Sequence, residues 1–395
     1  MISSRLTMTI PALTGVLVAC SISFSVCVKA ADESKSEVAS AAANTPAPAL
    51  AATNSAAVVA IPAPVPTPVN PRVAVIERIT KAAMQAMAAS NDAIAVALSA
   101  KYMREANLKA GETREPEQKN DLQMAALVRA KQLADKQGSS LVDFQMAMFC
   151  LGFPAKSLCV APDPVLAFAE SDPDNAMGWI AMAVREFTQG LLNLAGPHLE
   201  KAGAAKRSVW FYHVAAATAL KYAKAVEEPM RKVGDNEAAA FGLLDGMMVP
   251  PFRLFAQLCN PSPEGKLPEG RYPICRRAAQ VLIDEGQSQA EPAIGYRVLE
   301  RLANGEKLPD QATLASASVM AFEAAGRFVW QSIQKFPPQS DADGAALVQY
   351  FADLIQHGER RATQLALKRA GKTVADFAVR KEQVPCDCGV ETPAP

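Results

Sequence analysis

The stretch ESDPDNAMGWIAMA, Glu170 to Ala183, changes character at its midpoint. Asp172, Asp174 and Asn175 offer side-chain oxygens to the free backbone N–H groups of a helix start and negative charge to its dipole. From Ala176 the residues are small or apolar, and a helix is predicted over 176–188. Leu191 to Ala202 forms the next helical stretch, with Gly190 as the punctuation between the two.

Composition extends that reading to the whole chain. Half of the 395 residues are hydrophobic but only 6% are aromatic. Alanine dominates, and alternating Val, Ile and Thr are scarce, so strands have little support. The fold class expected is all-α. Helical spacing predicts elements at 72–90, 93–108, 119–137, 140–151, 164–170, 176–188, 191–202, 208–233, 237–247, 252–259, 273–285, 290–303, 311–336 and 342–370. Gly, Pro and Asn separate them, as at Gly138, Pro154, Pro250-Pro251 and Pro337-Pro338.

Residues 172–205 resemble one tetratricopeptide repeat. Trp179, Met182 and Ala183 fall on its first helix, Gly190 at its turn, and Ala195, Leu199 and Ala202 on its second. Glu186 departs from the pattern, standing where the family carries an aromatic residue. The resemblance implies an array of antiparallel helical hairpins, either TPR-like or an irregular α-solenoid, since no second copy recurs at a fixed period. The chain as a whole is similar to exported helical proteins of Gram-negative bacteria.

Arg5 followed by the apolar run from Leu6 to Val28, with small residues up to Ala30, reads as a signal peptide over 1–30. Within it, Leu17-Val18-Ala19-Cys20 resembles a lipobox, which would make 1–19 the signal and Cys20 a lipidated N-terminus. Residues 31–70 are an Ala- and Pro-rich linker, including PAPALAATNSAAVVAIPAPVPTPVN from Pro46 to Asn70. It is too poor in large apolar groups to offset its ordering entropy and is expected to be disordered. Residues 71–380 make one helical domain or two subdomains, and 381–395 a flexible tail.

Six cysteines remain beyond the signal. In an oxidising compartment an even set favours disulfides. Local pairs, Cys150 with Cys159 and Cys259 with Cys275, close loops rich in Pro or Gly, although spacing leaves cross-pairing open. Cys386-Asp387-Cys388 in the tail admits a metal, a reactive disulfide or no role, and without a neighbouring His or third Cys a structural reading is preferred.

Chemistry is sparse elsewhere. His198, His213 and His357 are scattered over separate predicted helices, and no GxSxG, Walker loop, GxGxxG or HExxH occurs. No catalytic, cofactor-binding or metal residue is assigned. The 40 Lys and Arg balance the 40 Asp and Glu, which gives nucleic acid no electrostatic footprint. Lys206-Arg207 and Arg360-Arg361 read as solvated helix faces. Two functions remain: a periplasmic helical module, soluble or membrane-tethered through lipid, that docks an envelope protein or peptide in a groove without convergent ionisable groups; or an envelope hydrolase acting on wall glycan or peptide, needing two carboxylates such as Glu170, Asp172 or Asp174 across a cleft. On the repeat-like hairpin Ile180, Val184 and Phe187 are candidates for partner contacts, with core packing the preferred role.

Overall fold

Short apolar side chains allow helices to approach closely, and the chain uses that freedom throughout. The computed structural model describes residues 70–103, 116–153, 159, 163–261, 267–268 and 270–378. The proposed signal, Cys20, the linker up to Val69, and the tail with Cys386 and Cys388 lie outside the described residues. Among those described there is no strand, and fifteen α-helices account for the fold.

The helices are α1 (Pro71–Ala89), α2 (Ala93–Met103), α3 (Pro116–Gln137), α4 (Ser140–Gly152) and α5 (Pro164–Ser171). Then come α6 (Ala176–Thr188), α7 (Leu192–Ala204), α8 (Tyr212–Ala225), α9 (Asp235–Leu244) and α10 (Phe252–Leu258). The last five are α11 (Arg271–Glu285), α12 (Ala290–Gly305), α13 (Pro309–Phe328), α14 (Asp341–His357) and α15 (Glu359–Arg369).

Consecutive helices from α4 to α7 pack side by side, but α7 then packs on α11, which continues through α12 to α13. Helices α8 to α10 form an excursion. Helices α8 and α9 pack on α1, with α14 against both. Glycine sets the separation at two of these contacts. A Cβ on Gly178 of α6 would sit 2.7 Å from Ala169 Cα of α5, and one on Gly203 of α7 would sit 2.8 Å from Arg277 Cβ of α11. Phe144 and Phe168 meet edge-on in the core, with centroids 5.7 Å apart, and both are fully buried. The packing is compatible with a helical repeat, and the described residues form one compact unit.

Three predicted helices differ from expectation: one starts late, one divides and one changes its winding. Ser208 to Trp210 stays out of helix because Asn175, the N-cap of α6, binds this stretch through its side chain, and Phe211 before α8 is left-handed at φ +63°. Asn175 Nδ2 donates to Val209 O at 2.9 Å, and Val209 N donates to Asn175 Oδ1 at 3.0 Å. The same Oδ1 accepts from Met177 N at 3.2 Å, so one amide starts a helix and prevents another. The predicted helix over 342–370 divides at Gly358, whose φ of +80° ends α14. The stretch predicted to 336 changes at Val329 into a single π-helical segment, Val329–Gln334.

Two disulfides pin loops to helices. Cys150 at the end of α4 is joined to Cys159, with Cα atoms 5.2 Å apart, and Cys259 after α10 to Cys275 in α11, 5.7 Å apart. Such bonds fit an oxidising, extracytoplasmic environment. No helix among the described residues is long and apolar enough to cross a membrane.

A buried ion pair ties the start of the described chain to its middle. Arg72 Nε in the first turn of α1 lies 2.6 Å from Asp235 Oδ1 at the start of α9, with side chains 8% and 0% exposed. The guanidinium also donates to Val233 O and, at 3.4 Å, to Ser340 O before α14. Asp235 Oδ2 accepts from Lys232 N at 2.7 Å, which satisfies its second oxygen.

Removing one partner of a buried pair strands the other without water. Asp235→Ala is expected to cost about 3 to 5 kcal/mol in urea unfolding, whereas Lys206→Ala, which removes an exposed pair with Asp174, should leave the midpoint nearly unchanged. Replacing both Cys259 and Cys275 with Ala should lower stability by about 2 to 4 kcal/mol through the freed unfolded chain, read in the same assay.

Candidate functional site

The hairpin that opened the sequence reading is built as its residue types require. Trp179 is almost fully buried and its Nε1 donates to Pro173 O at 2.9 Å. His198 of α7 stacks on the ring at a centroid distance of 6.0 Å, and Lys201 Nζ lies 4.1 Å from the ring centroid. This is a favourable cation–π position. Ala195, Leu199 and Ala202 are fully buried. So are Ile180 and Val184, and Phe187 packs against the core, so packing is the role of all three.

The turn after α6 is a Schellman motif. Leu191 N donates to Glu186 O at 2.8 Å and Gly190 N to Phe187 O at 3.1 Å, with Gly190 at φ +77°. The leucine just beyond such a cap ordinarily packs on an apolar residue in the helix's last turn. Here that position is Glu186, which is buried and 2.7 Å from Arg185. Arg185 also pairs with Asp163, the N-cap of α5. Leu191 therefore has no apolar seat.

It remains 41% exposed, beside Leu192 at 44% and Leu194 at 46%. The main chain beneath them is fixed, because Arg271, buried in the first turn of α11, donates to Leu192 O at 2.6 Å. Three neighbouring leucines thus stand in solvent on a rigid support, whereas exposed apolar residues elsewhere on the surface are mostly isolated. Sequence reading missed this surface. The departure at Glu186 was its only signal.

Several of the ionisable groups singled out in the sequence have partners. Asp172 pairs with Arg207, and Asp174 Oδ2 lies 3.1 Å from Lys206 Nζ; both basic side chains are exposed, on the connection to α8 rather than on a helix. Glu170 is exposed. Arg360, also expected in solvent, reaches back to Ile283 O at 2.7 Å and Gly286 O at 3.3 Å and caps α11.

His198 lies within α7 rather than near its end. Its Nδ1 is buried without a hydrogen-bond partner among the described residues, and burial lowers its pKa, with the nearby Glu186 opposing. His213 in α8 is lowered by burial as well. The three histidines lie on α7, α8 and α14, and no metal-holding group of His, Cys, Asp and Glu exists among the described residues.

The carboxyls with raised pKa are elsewhere. Glu291 in the first turn of α12 is fully buried, which pushes its pKa up to about 7 against opposing hydrogen bonds. Ser208 donates to its Oε1 and Ser288 N to its Oε2 at 2.7 Å, while Ser288 Oγ accepts from Glu291 N at 3.1 Å. This reciprocal cap encloses the carboxyl completely. Glu359 is half-buried, is raised by burial, and accepts from Gln289 N at 3.1 Å. Both groups cap helix starts, and neither lines either of the two surface depressions described here. One depression, of about 250 Å³, lies among Gly203, Lys206, Arg277, Gln280, Asp284 and Glu285. The other, of about 310 Å³, lies among Trp330, Phe336, Pro337, Gln331, Lys335 and Gln339.

The buried carboxyl gives stability a definite pH dependence. Folded Glu291 keeps its proton to about pH 7, while the unfolded group titrates near 4.5. The folded state binds more protons between those values, so stability falls as pH rises through them, by on the order of 3 kcal/mol. His198 and His213, with lowered pKa values, act in the opposite direction. The difference between wild type and Glu291→Gln isolates the carboxyl: urea unfolding at pH 5 and pH 8 should show the wild type losing more stability than the variant.

Neither a protein-family model, nor a curated protein, nor a solved structure matches this chain.

Proposed function

We propose that this is an exported cell-envelope protein whose helices act as an interaction module for another envelope protein or peptide. The observation that carries the reading is the leucine surface at the head of α7, where Leu191, Leu192 and Leu194 are each more than 40% exposed on a main chain held by Arg271. Neighbouring apolar side chains on a fixed support supply area for association while losing little backbone freedom. Beside it Arg185 is paired with Glu186 and Asp163, and Arg271 with the Leu192 carbonyl, which fits docking better than proton transfer.

Several features support the finer parts of this reading. The side-by-side run α4 to α7 and α11 to α13 fits an array of helical hairpins related to tetratricopeptide repeats, with α8 to α10 as an insertion. The two disulfides and the apolar N-terminal run fit a periplasmic location. Cys20 provides a lipid tether if the lipobox is processed, and otherwise the protein is soluble in that compartment.

Site-specific photocrosslinking in intact cells tests the proposal. A photoreactive residue at Leu194 should give one reproducible adduct that a probe at exposed Leu314 does not. With the probe kept at 194, Leu191→Asp with Leu192→Asp should abolish it with unchanged thermal stability. Equal labelling from both positions, or an adduct indifferent to the aspartates, would refute this surface.

A further inference from the structure

Arg72 and Arg271 are buried to a similar degree, 8% and 6% exposed, but their charges are met differently. Arg72 has the Asp235 carboxylate at 2.6 Å. Arg271 has no carboxylate among the described residues. Its Nη2 donates to Leu192 O at 2.6 Å, which occupies one of the five guanidinium N–H groups, and burial lowers its pKa. A neutral carbonyl returns little of the hydration that a buried charge gives up.

This charge lies under the leucine surface. Leu192 and Gly196 are four residues apart on one face of α7, and a Cβ on Gly196 would stand 3.9 Å from Arg271 Nη2, so the guanidinium runs alongside the first turns of the helix. Leu191, Leu192 and Leu194 are the exposed apolar residues at that end. Leu194, His198 and Lys201 then follow at helical spacing, and Lys201 is held over the Trp179 ring without an ion pair among the described residues. Of the carboxylates on the neighbouring elements, Asp163 and Glu186 pair with Arg185. Glu200 is exposed in the second half of α7, and Asp284 and Glu285 are at the opposite end of α11.

A partner that covers the leucines also removes the remaining water from Arg271. A wholly apolar partner would leave a buried charge unpaired, whereas a carboxylate among apolar side chains would accept from the guanidinium in fork geometry. We propose that the segment docking on Leu191, Leu192 and Leu194 is an apolar peptide segment of another protein that brings a carboxylate, from Asp, Glu or a chain end, to Arg271. This rests on the leucine surface being a docking site and adds what its partner contains. Arg271 thereby selects among apolar segments, because those without an acid bear the cost of its desolvation. Being recessed, it suits an inserted carboxylate better than the plane of a bilayer.

The test uses the full chain in intact cells with the photoreactive residue at 194. Arg271→Gln should lower the adduct roughly tenfold or more. The purified variant should be at least as thermally stable as wild type, because it loses a charge with no counter-charge in the free protein; a lowered melting temperature would instead mark Arg271 as a structural residue and overturn the proposal. Sequencing of the crosslinked peptide should find a carboxylate within about four residues, one helical turn, of the adduct. Removing that carboxylate should lower the adduct as far as Arg271→Gln does, and the two changes together should lower it no further. Glu264→Gln with Glu269→Gln removes the acids that precede Arg271 in sequence and should leave the adduct unchanged; a changed adduct would overturn the proposal in favour of an internal carboxylate. An adduct indifferent to Arg271→Gln would overturn this inference and leave the docking surface standing, whereas absence of any wild-type adduct would end both. An adduct on lipid or on a second copy of this chain would overturn it in favour of that occupant.

Discussion

A guanidinium buried in the first turn of α1 fixes how three separate parts of the chain meet. Arg72 binds the Asp235 carboxylate, the Val233 carbonyl and the Ser340 carbonyl, and these lie on the approaches to α9 and α14. A charge so enclosed is tolerable only with its partners in place, so the three elements are obliged to keep one arrangement. Small residues complete the fit: Gly344 of α14 lies so near Val233 that any side chain there would collide with its carbonyl. Apolar burial drives the helices together, and the ion pair specifies how they meet.

Much of this fold was legible because helical sequences declare their starts. The Asn175 cap, the Gly190 turn and the small residues of α6 and α7 lie within a few positions of one another, and local physics governs them. What stayed hidden depends on residues remote in sequence. Ser208 to Phe211 is compatible with helix on composition, and it is Asn175, more than thirty residues earlier, that takes Val209's hydrogen bonds. The packing of α7 on α11 hides any repeat period, because α8 to α10 are interposed. Gly358 likewise reads as a tolerable residue within a long helix until its backbone conformation is known.

The candidate surface shows the same division. Glu186 stood out as a departure from the repeat pattern, but its effect lies in the turn that follows. With a carboxylate buried where an apolar residue would receive Leu191, the cap is formed and its usual contact is missing. One substitution in a local motif thus accounts for apolar area in water. The enclosed carboxyl of Glu291 was illegible, since its environment comes from Ser208 on one connection and Ser288 on another.

The Arg72 cluster also dictates an order of events as the polypeptide is made. Synthesis delivers α1 first, and it can settle on α2 at once. Its guanidinium must then wait for Asp235 and finally for Ser340, 268 positions further along. Contacts of such long range form late and slow the search for the native state. Until Ser340 has appeared, the guanidinium has its partners before α9 but lacks the one before α14. Completion of the native structure is therefore a property of the finished polypeptide, and a truncated product ending before α14 lacks the final member that locks its beginning.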